Sequence, residues 1–316
     1  MRHTIGMQAR RVALLATTAA AVSLVAGVAS AAPTTGCHIS VETSPSSTWA
    51  ISNFNPFVSQ AATAQYSVRV VNDGTALCNR NLSVVTSGEA YGLAGPNGER
   101  LDYSLYATSD SIDMTPTQGS VAKPQAILNF QLSPGSRRTF TYSFGVNLVN
   151  LPSSGAFTQH IAFQTDTLTG GNNDGGSPTS TPVSLSLNVA SAAVISLRGT
   201  YTHMGNGGAQ IDLGELKAGS IQEPIQIFVQ STTGYNLALH SLNNGVLKMG
   251  SSSWTVPYSM SLGANSINLA GTPSLTVSAG GAARQDSLPI AFTVGDPSSK
   301  AAGNYSDVIT VSVTAD

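Results

Sequence analysis

The feature that most constrains the fold is a strand pattern that the chain uses twice. Residues 140–146 read Phe-x-Tyr-x-Phe-x-Val, and residues 288–294 read Leu-x-Ile-x-Phe-x-Val, 148 residues later. The same spacing continues without a gap and sets Gly155-Ala-Phe-Thr beside Gly303-Asn-Tyr-Ser. Apolar residues that alternate with polar ones are typical of half-buried β-strands. The repetition predicts two copies of one immunoglobulin-like β-sandwich, and chance similarity between simple strands is the alternative.

Composition supports an all-β chain and argues against several functions. Only 9% of the 316 residues are charged, and long helical Leu/Ala/Glu/Lys patterns are missing beyond the N-terminus. The formal net charge of −2 provides no basic field, so we expect no nucleic-acid partner. The length is sufficient for two domains that each bury a core.

The N-terminus has the pattern of a secretion signal. Arg2, Arg10 and Arg11 precede an apolar run that ends at the small residues Ala29-Ser30-Ala31. A transmembrane anchor is the alternative, but the run is rich in Ala and Thr and ends in a cleavage pattern. We therefore predict a signal peptide over residues 1–31, export from the cytoplasm, and no membrane span in the mature protein. The two sandwiches are predicted over residues 32–190 and 191–316.

Two cysteines, Cys37 and Cys78, are the only ones in the chain. In an exported protein such a pair predicts one disulfide rather than a metal site or a nucleophile. Both cysteines lie in the first copy, so the second copy is expected to depend on packing and strand pairing alone.

The two copies differ after their matching strands. Beyond residues 157–165 the first copy continues to a clean alternating strand at residues 183–189. The second copy reaches the matching strand, with Tyr305, Ile309, Val311 and Val313 on one side, and only Ala315 and Asp316 come after its last threonine. We therefore expect the second sandwich to lack its last strand and to present a groove lined by these four residues. The alternative is that residues 194–197 fold over and close that edge.

The chain resembles the spore coat protein U-like family, which includes the pilins of archaic (Csu-type) chaperone–usher pili. The resemblance is carried by Phe54-Asn-Pro56, by Leu101-x-Tyr-Ser-Leu-Tyr106, and in the second copy by Asp212-Leu-Gly-Glu-Leu216 and Val256-Pro-Tyr-Ser-Met260. The terminal run Gly-x-Tyr-x-Asp-x-Ile-x-Val is the most specific of these motifs. In the first copy Phe157 and Gln159 replace its Tyr and Asp.

The resemblance implies a subunit that is joined to its neighbour by a donated strand. Residues 32–36 are too short and too polar to be donated, so the expected role is a tip subunit that accepts a strand and gives none. The implied partners are a periplasmic pilus chaperone, an outer-membrane usher, the next pilin subunit, and an abiotic or host surface. The implied location is the pilus tip on the surface of a Gram-negative cell, with adhesion and biofilm formation as the outcome.

Three apolar stretches are candidates for surface contact by the first copy. Residues 44–60 carry Trp49, Phe54 and Phe57, for which we favour core packing. Residues 88–98 carry Tyr91 and Leu93, and residues 108–123 carry Ile112 and Met114, where contact and inward packing are both open. The predicted contact residues are Tyr91, Leu93, Ile112 and Met114.

No motif for catalysis or for a metal or other cofactor stands out. The histidines lack metal-ligand spacing, and no Gly-x-Ser-x-Gly elbow accompanies them. We therefore predict that the chain is not an enzyme and needs no cofactor. Two other functions stay open beside the tip adhesin: a structural coat or pilus-adaptor protein assembled by strand exchange, and a secreted carbohydrate-binding β-sandwich.

Overall fold

The computed structural model describes residues 35–116, 126–167, 177–204, 208–278 and 281–316. Within these ranges the chain is all β, and its strands form two immunoglobulin-like sandwiches in tandem. The predicted signal peptide and part of the predicted contact stretch 108–123 lie outside the described residues. None of the described residues forms a helix of the length and hydropathy that crossing a membrane requires.

The first sandwich contains strands β1 to β12. Apolar and polar residues alternate along most of them, so each strand turns one face to the core. The strands are β1 (Ile39–Ser44), β2 (Thr48–Phe54), β3 (Ala61–Asn72), β4 (Cys78–Thr86), β5 (Leu93–Ala94), β6 (Arg100–Leu101), β7 (Tyr103–Ala107), β8 (Ile112–Asp113), β9 (Ile127–Leu132), β10 (Arg137–Asn147), β11 (Gly155–Thr167) and β12 (Thr179–Val189).

Two sheets enclose the first core. One has the order β1-β3-β10-β7-β8, and the other has the order β2-β12-β11-β4-β9, with β5 attached to β11 and β6 attached to β5. All pairings are antiparallel except that of β2 with β12, which is parallel. Trp49 on β2 lies at the centre of the core, fully buried.

The second sandwich contains strands β13 to β23. Its first sheet has the order β13-β16-β22-β19-β18, with β20 beside β19, and its second sheet has only three strands, in the order β21-β17-β23. β14 and β15 form a separate hairpin. The strands are β13 (Ala193–Gly199), β14 (Thr202–His203), β15 (Ala209–Gln210), β16 (Gly219–Ser231), β17 (Tyr235–Ser241), β18 (Val246–Lys248), β19 (Thr255–Leu262), β20 (Asn265–Ile267), β21 (Ser274–Val277), β22 (Arg284–Val294) and β23 (Ile309–Ala315).

Strand register confirms the internal repeat. Phe163 on β11 faces Val84 on β4, and Val311 on β23 faces Leu239 on β17. In the opposite sheets, Phe144 faces Leu105, while Phe292 faces Met260. Positions matched in sequence therefore occupy the same places in the two sandwiches, as the repeat predicts.

The predicted disulfide joins Cys37 and Cys78, whose Cα atoms are 5.2 Å apart. Cys37 precedes β1 in one sheet and Cys78 begins β4 in the other, so the bond ties the two sheets of the first sandwich together. The second sandwich has no cysteine. Its sheets are held by packing and hydrogen bonds.

Candidate strand-acceptor site

The free edge of β23 is the candidate site. β23 pairs with β17 along its whole length, from Ile309 opposite Ser241 to Ala315 opposite Tyr235. Among the described residues no strand pairs with its other edge. The equivalent strand of the first sandwich, β11, has β12 along one edge and β4, together with β5, along the other.

The hydrogen bonds to β17 show which backbone groups face the free edge. The N–H of Leu242 donates to the carbonyl of Val308 at 2.9 Å, and the N–H of Asp316 donates to the carbonyl of Gly234 at 2.9 Å. In an antiparallel ladder, hydrogen-bonded residues alternate with residues whose N–H and C=O point the other way. The outward-facing backbone groups therefore belong to Ile309, Val311, Val313 and Ala315.

The inward side chains of β23 are only half-buried, although they pack against the second core. Ile309, Val311 and Val313 are all intermediate in exposure. In β11, the equivalent Ile161, Phe163 and Thr165 are fully buried. The four predicted groove residues, Tyr305 among them, therefore border the second core on a side that is less covered than the equivalent side of the first core.

β13 lies next to β23 but does not close its edge with a ladder. The two strands come within 8 Å between Cα atoms, whereas the backbone pairing of β13 runs to β16 over its full length, from Ala193 opposite Ser231 to Gly199 opposite Ile225. The inward-facing Ile195 and Leu197 of β13 are half-buried as well. Residues 194–197 thus do not pair with β23, contrary to the self-closing alternative.

Asp307 fixes the start of β23. Its carboxylate accepts hydrogen bonds from the hydroxyl groups of Ser241 and Tyr258, and from the backbone N–H of Asn243 and Val308. Tyr258 lies on β19, so this carboxylate joins the two sheets across the sandwich. Burial and, after it, the hydrogen bond to Asp307 raise the pKa of Tyr258 above its ordinary range.

A second polar cluster fixes the other end of the same sheet. The hydroxyl of Tyr235, which is fully buried, donates to Asp286 Oδ2 at 2.9 Å, and the Arg284 guanidinium donates to the same carboxylate. The hydrogen bond from Arg284 is the main reason why the pKa of Asp286 is lowered. The two clusters therefore anchor the sheet of β17 and β23 near both of its ends, and β23 lies extended along β17.

The predicted contact residues of the first sandwich mostly serve its core. Leu93 is fully buried and Met114 is 1% exposed, so the prediction that they contact a surface was wrong. Leu93 is held by the pairing of β5 with β6, and the N–H of Met114 donates to the Leu105 carbonyl. Tyr91 is half-buried and stacks on Tyr103, and Ile112 packs half-buried on the same core, so their contact role stays a prediction.

Sequence reasoning missed two features of the structure. The first is β2, which lies in the stretch 44–60 and was not predicted as a strand; its parallel neighbour β12 is more than a hundred residues away. The second is the cluster around Asp307, although the motif Gly-x-Tyr-x-Asp contained that residue. Trp49 and Phe54 are buried, as favoured from the sequence. No group of three His, Cys, Asp or Glu side chains within the described ranges is placed to hold a metal ion.

Comparison with known proteins gives structural neighbours but no family. No protein-family model and no curated protein matches the sequence, so membership of the spore coat protein U-like family stays a prediction. A chain of the chaperone–tip adhesion subunit pre-assembly complex from archaic chaperone–usher Csu pili of Acinetobacter baumannii is 13% identical, with a TM-score of 0.45 over 87% of this chain and 99% of that chain.

Two further solved structures are similar at the same low level. The CupB6 tip adhesin from Pseudomonas aeruginosa is 10% identical, with a TM-score of 0.39 over 87% of this chain and 95% of that chain. The CooA pilin subunit from enterotoxigenic Escherichia coli is 12% identical, with a TM-score of 0.31 over 48% of this chain and 98% of that chain. All three scores are below 0.5, so the function of the site has to be inferred from its own strands.

Proposed function

We propose that the second sandwich accepts a β-strand from another polypeptide along the free edge of β23. The observation that carries the proposal is the difference between β11, which is paired on both edges, and β23, which is paired on one. An unpaired edge beside half-exposed apolar side chains invites strand addition, because the backbone hydrogen bonds provide affinity and alternate side chains enter the core.

The first sandwich shows what fills the equivalent place. β12 runs antiparallel to β11 and buries Val183, Leu185 and Leu187, while its serines face outward. The strand proposed for the second sandwich takes the same position relative to β23. It runs antiparallel to β23 and places alternate apolar side chains between β23 and β13.

Within this proposal, the chain is an adhesin subunit of an archaic chaperone–usher pilus, located at the tip. The three solved structural neighbours are two tip adhesins and a pilin, and one of them comes from a pre-assembly complex with a chaperone. We extend those roles to this chain: a periplasmic chaperone protects the edge of β23, an usher exports the subunit, and the next pilin subunit donates the lasting strand. The first sandwich then carries the contact with an abiotic or host surface.

A second candidate is a pilus-adaptor or coat protein that assembles in the same way without binding a receptor. The burial of Leu93 and Met114 favours it, because these side chains are not available for contact. Replacing the half-buried Ile112 by Ser separates the two candidates. Surface attachment falls for an adhesin, and it is unchanged for an adaptor.

The test of strand acceptance extends the chain beyond Asp316 by a flexible Gly/Ser linker and a copy of residues 179–189. Tethering gives the added strand an effective concentration in the millimolar range. We expect slower hydrogen exchange at the amides of Ile309, Val311 and Val313, together with a higher unfolding midpoint of the second sandwich. In the matched control, the copies of Val183, Leu185 and Leu187 are serines, and the edge amides should gain no protection.

Hydrogen exchange in the chain without the added strand can contradict the proposal. If the amides of Ile309, Val311 and Val313 exchange as slowly as those of Thr310 and Ser312, which bond to β17, the edge is already occupied and the proposal fails.

A further inference from the structure

The core of the first sandwich is most aromatic where β2, β10 and β11 meet. The rings of Trp49, Tyr142 and Phe163 lie with their centroids 5.1 to 5.9 Å apart. All three side chains are fully buried. They fill the space directly behind β12, whose Leu185 is the strand neighbour of Trp49.

The second sandwich has smaller side chains at the places equivalent to these rings. The spacing of 148 residues sets Ile290 in the position of Tyr142 and Val311 in the position of Phe163. Within the described part of the second sandwich no strand takes the place of β2, and the residues between β13 and β16 that pack on the second core, among them Tyr201 and Ile211, are only partly buried, unlike Trp49. Leu239 in place of Val84 and Leu262 in place of Ala107 add a few aliphatic carbons, but neither supplies an aromatic ring.

The side chains of β13 do not fill this space either. Although β13 lies beside β23, its Ile195 and Leu197 stay only half-buried, and so does Val311 on β23. Protein interiors are packed to near-crystalline density, so an incoming strand has to bring the volume that the core lacks. A strand with small side chains at this point would leave a cavity, and cavities in a core are destabilising.

We propose that the strand accepted by β23 carries a large, preferentially aromatic, side chain at a position that faces Ile309 or Val311. This inference rests on the proposed strand acceptance and specifies its partner. In β12 the equivalent positions hold Val183 opposite Ile161 and Thr181 opposite Phe163. The partner strand is therefore not a simple copy of β12, because β12 matches a core that already contains Trp49.

The test uses the full chain and three synthetic peptides, added while the protein refolds from urea. The first peptide copies residues 179–189. The second carries Val183→Phe, which faces the core, and the third carries Ser184→Phe, which faces outward. Binding is measured by titration, and the position is measured by hydrogen-exchange protection at the amides of Ile309, Val311 and Val313.

We expect the peptide with Val183→Phe to bind at least about tenfold more tightly than the copy of residues 179–189, as one additional buried ring allows. The peptide with Ser184→Phe should bind like the unchanged copy. A protein variant with Val311→Phe should lose the preference for the larger peptide, because its own ring then fills the space.

The other outcomes separate this inference from the proposed function. If all three peptides protect the edge amides with equal affinity, strand acceptance stands and the requirement for a large side chain is wrong. Equal gains from Val183→Phe and Ser184→Phe would mean general apolar adhesion, and would also overturn the inference. If none of the peptides protects the edge, and the tethered strand also fails, strand acceptance itself is refuted.

Discussion

β11 and β23 are the same strand of one repeated sandwich in two different situations. β11 lies between β12 and β4, and its inward side chains are fully buried. β23 has the same register to β17 that β11 has to β4, yet no strand in the described part of the chain pairs with its other edge, and its inward side chains are only half-buried. Among the described residues the second sandwich has no counterparts of β2 and β12, and its three-stranded sheet is tied to the opposite sheet near both ends by the carboxylates of Asp286 and Asp307.

The test with the largest expected effect on stability replaces one isoleucine in β11 and one in β23. Ile161 and Ile309 are equivalent, but only Ile161 is fully buried. We expect Ile161→Ala to lower the free energy of unfolding of the first sandwich by about 2–5 kcal/mol. Ile309→Ala should cost roughly 1 kcal/mol or less, because its side chain has less contact to lose. Urea unfolding followed by tryptophan fluorescence measures the first variant, and hydrogen exchange across β17 measures the second.

The same two substitutions can also contradict this comparison of β11 with β23. A cost for Ile309→Ala as large as that for Ile161→Ala would mean that the second core is complete as it stands. With a strand bound to β23, the two costs should become similar.

The next test concerns the disulfide, which only the first sandwich has. The bond between Cys37 and Cys78 closes a loop across a sequence separation of 41 residues. The paired change to serine should destabilise the first sandwich by about 2–4 kcal/mol. The second sandwich should keep its unfolding midpoint, and this makes it the internal control. A shift of both midpoints together would show that the two sandwiches unfold as one unit.

The features of the two sandwiches that could be predicted from the sequence are those that depend on periodic patterns. The 148-residue spacing placed Phe163 and Val311 at equivalent positions, and the strand registers confirm it. The alternation in the terminal strand identified the inward-facing Ile309, Val311 and Val313. Predicting the disulfide between Cys37 and Cys78 required only the expectation of an oxidising compartment.

The sequence-based predictions that failed concern residues whose position depends on long-range packing. Leu93 and Met114 lie among polar and turn-forming residues, which is typical of an exposed loop, yet both point into the core. The direction of a side chain on an irregular segment depends on what packs over it, and local composition does not record that. β2 was missed for the same reason, because its parallel pairing with β12 leaves no trace in its short and irregular sequence.

The smallest test concerns Asp307, at the position where the first sandwich has Gln159. Asp307→Asn removes the charge and one of the two accepting oxygens, so some of the hydroxyl and backbone N–H groups around it lose their acceptor. We expect a loss of about 1–2 kcal/mol in the stability of the second sandwich. Gln159→Glu at the equivalent place in the first sandwich is the matched comparison.

The cluster around Asp307 also predicts how the stability of the second sandwich changes with pH. The pKa of Tyr258 is raised in the folded chain, first by burial and then by its hydrogen bond to Asp307. A raised pKa favours the neutral hydroxyl, so its contribution to stability is complete below the ordinary value of 10.0 and is lost as the pH rises further. Asp307→Asn removes the negative charge beside the Tyr258 hydroxyl, so the pKa of Tyr258 should be raised less and the alkaline loss of stability should be smaller.

Urea unfolding of the second sandwich at a series of alkaline pH values, followed by far-ultraviolet circular dichroism, measures this loss. Tyr258→Phe should abolish the contribution altogether, because phenylalanine does not titrate. If Asp307→Asn and the unchanged chain lose stability equally with rising pH, the carboxylate does not act on Tyr258. The link between the two sheets through this pair would then be wrong, and β23 would be anchored by its pairing with β17 and by the bonds of Asp307 to Ser241 and Asn243.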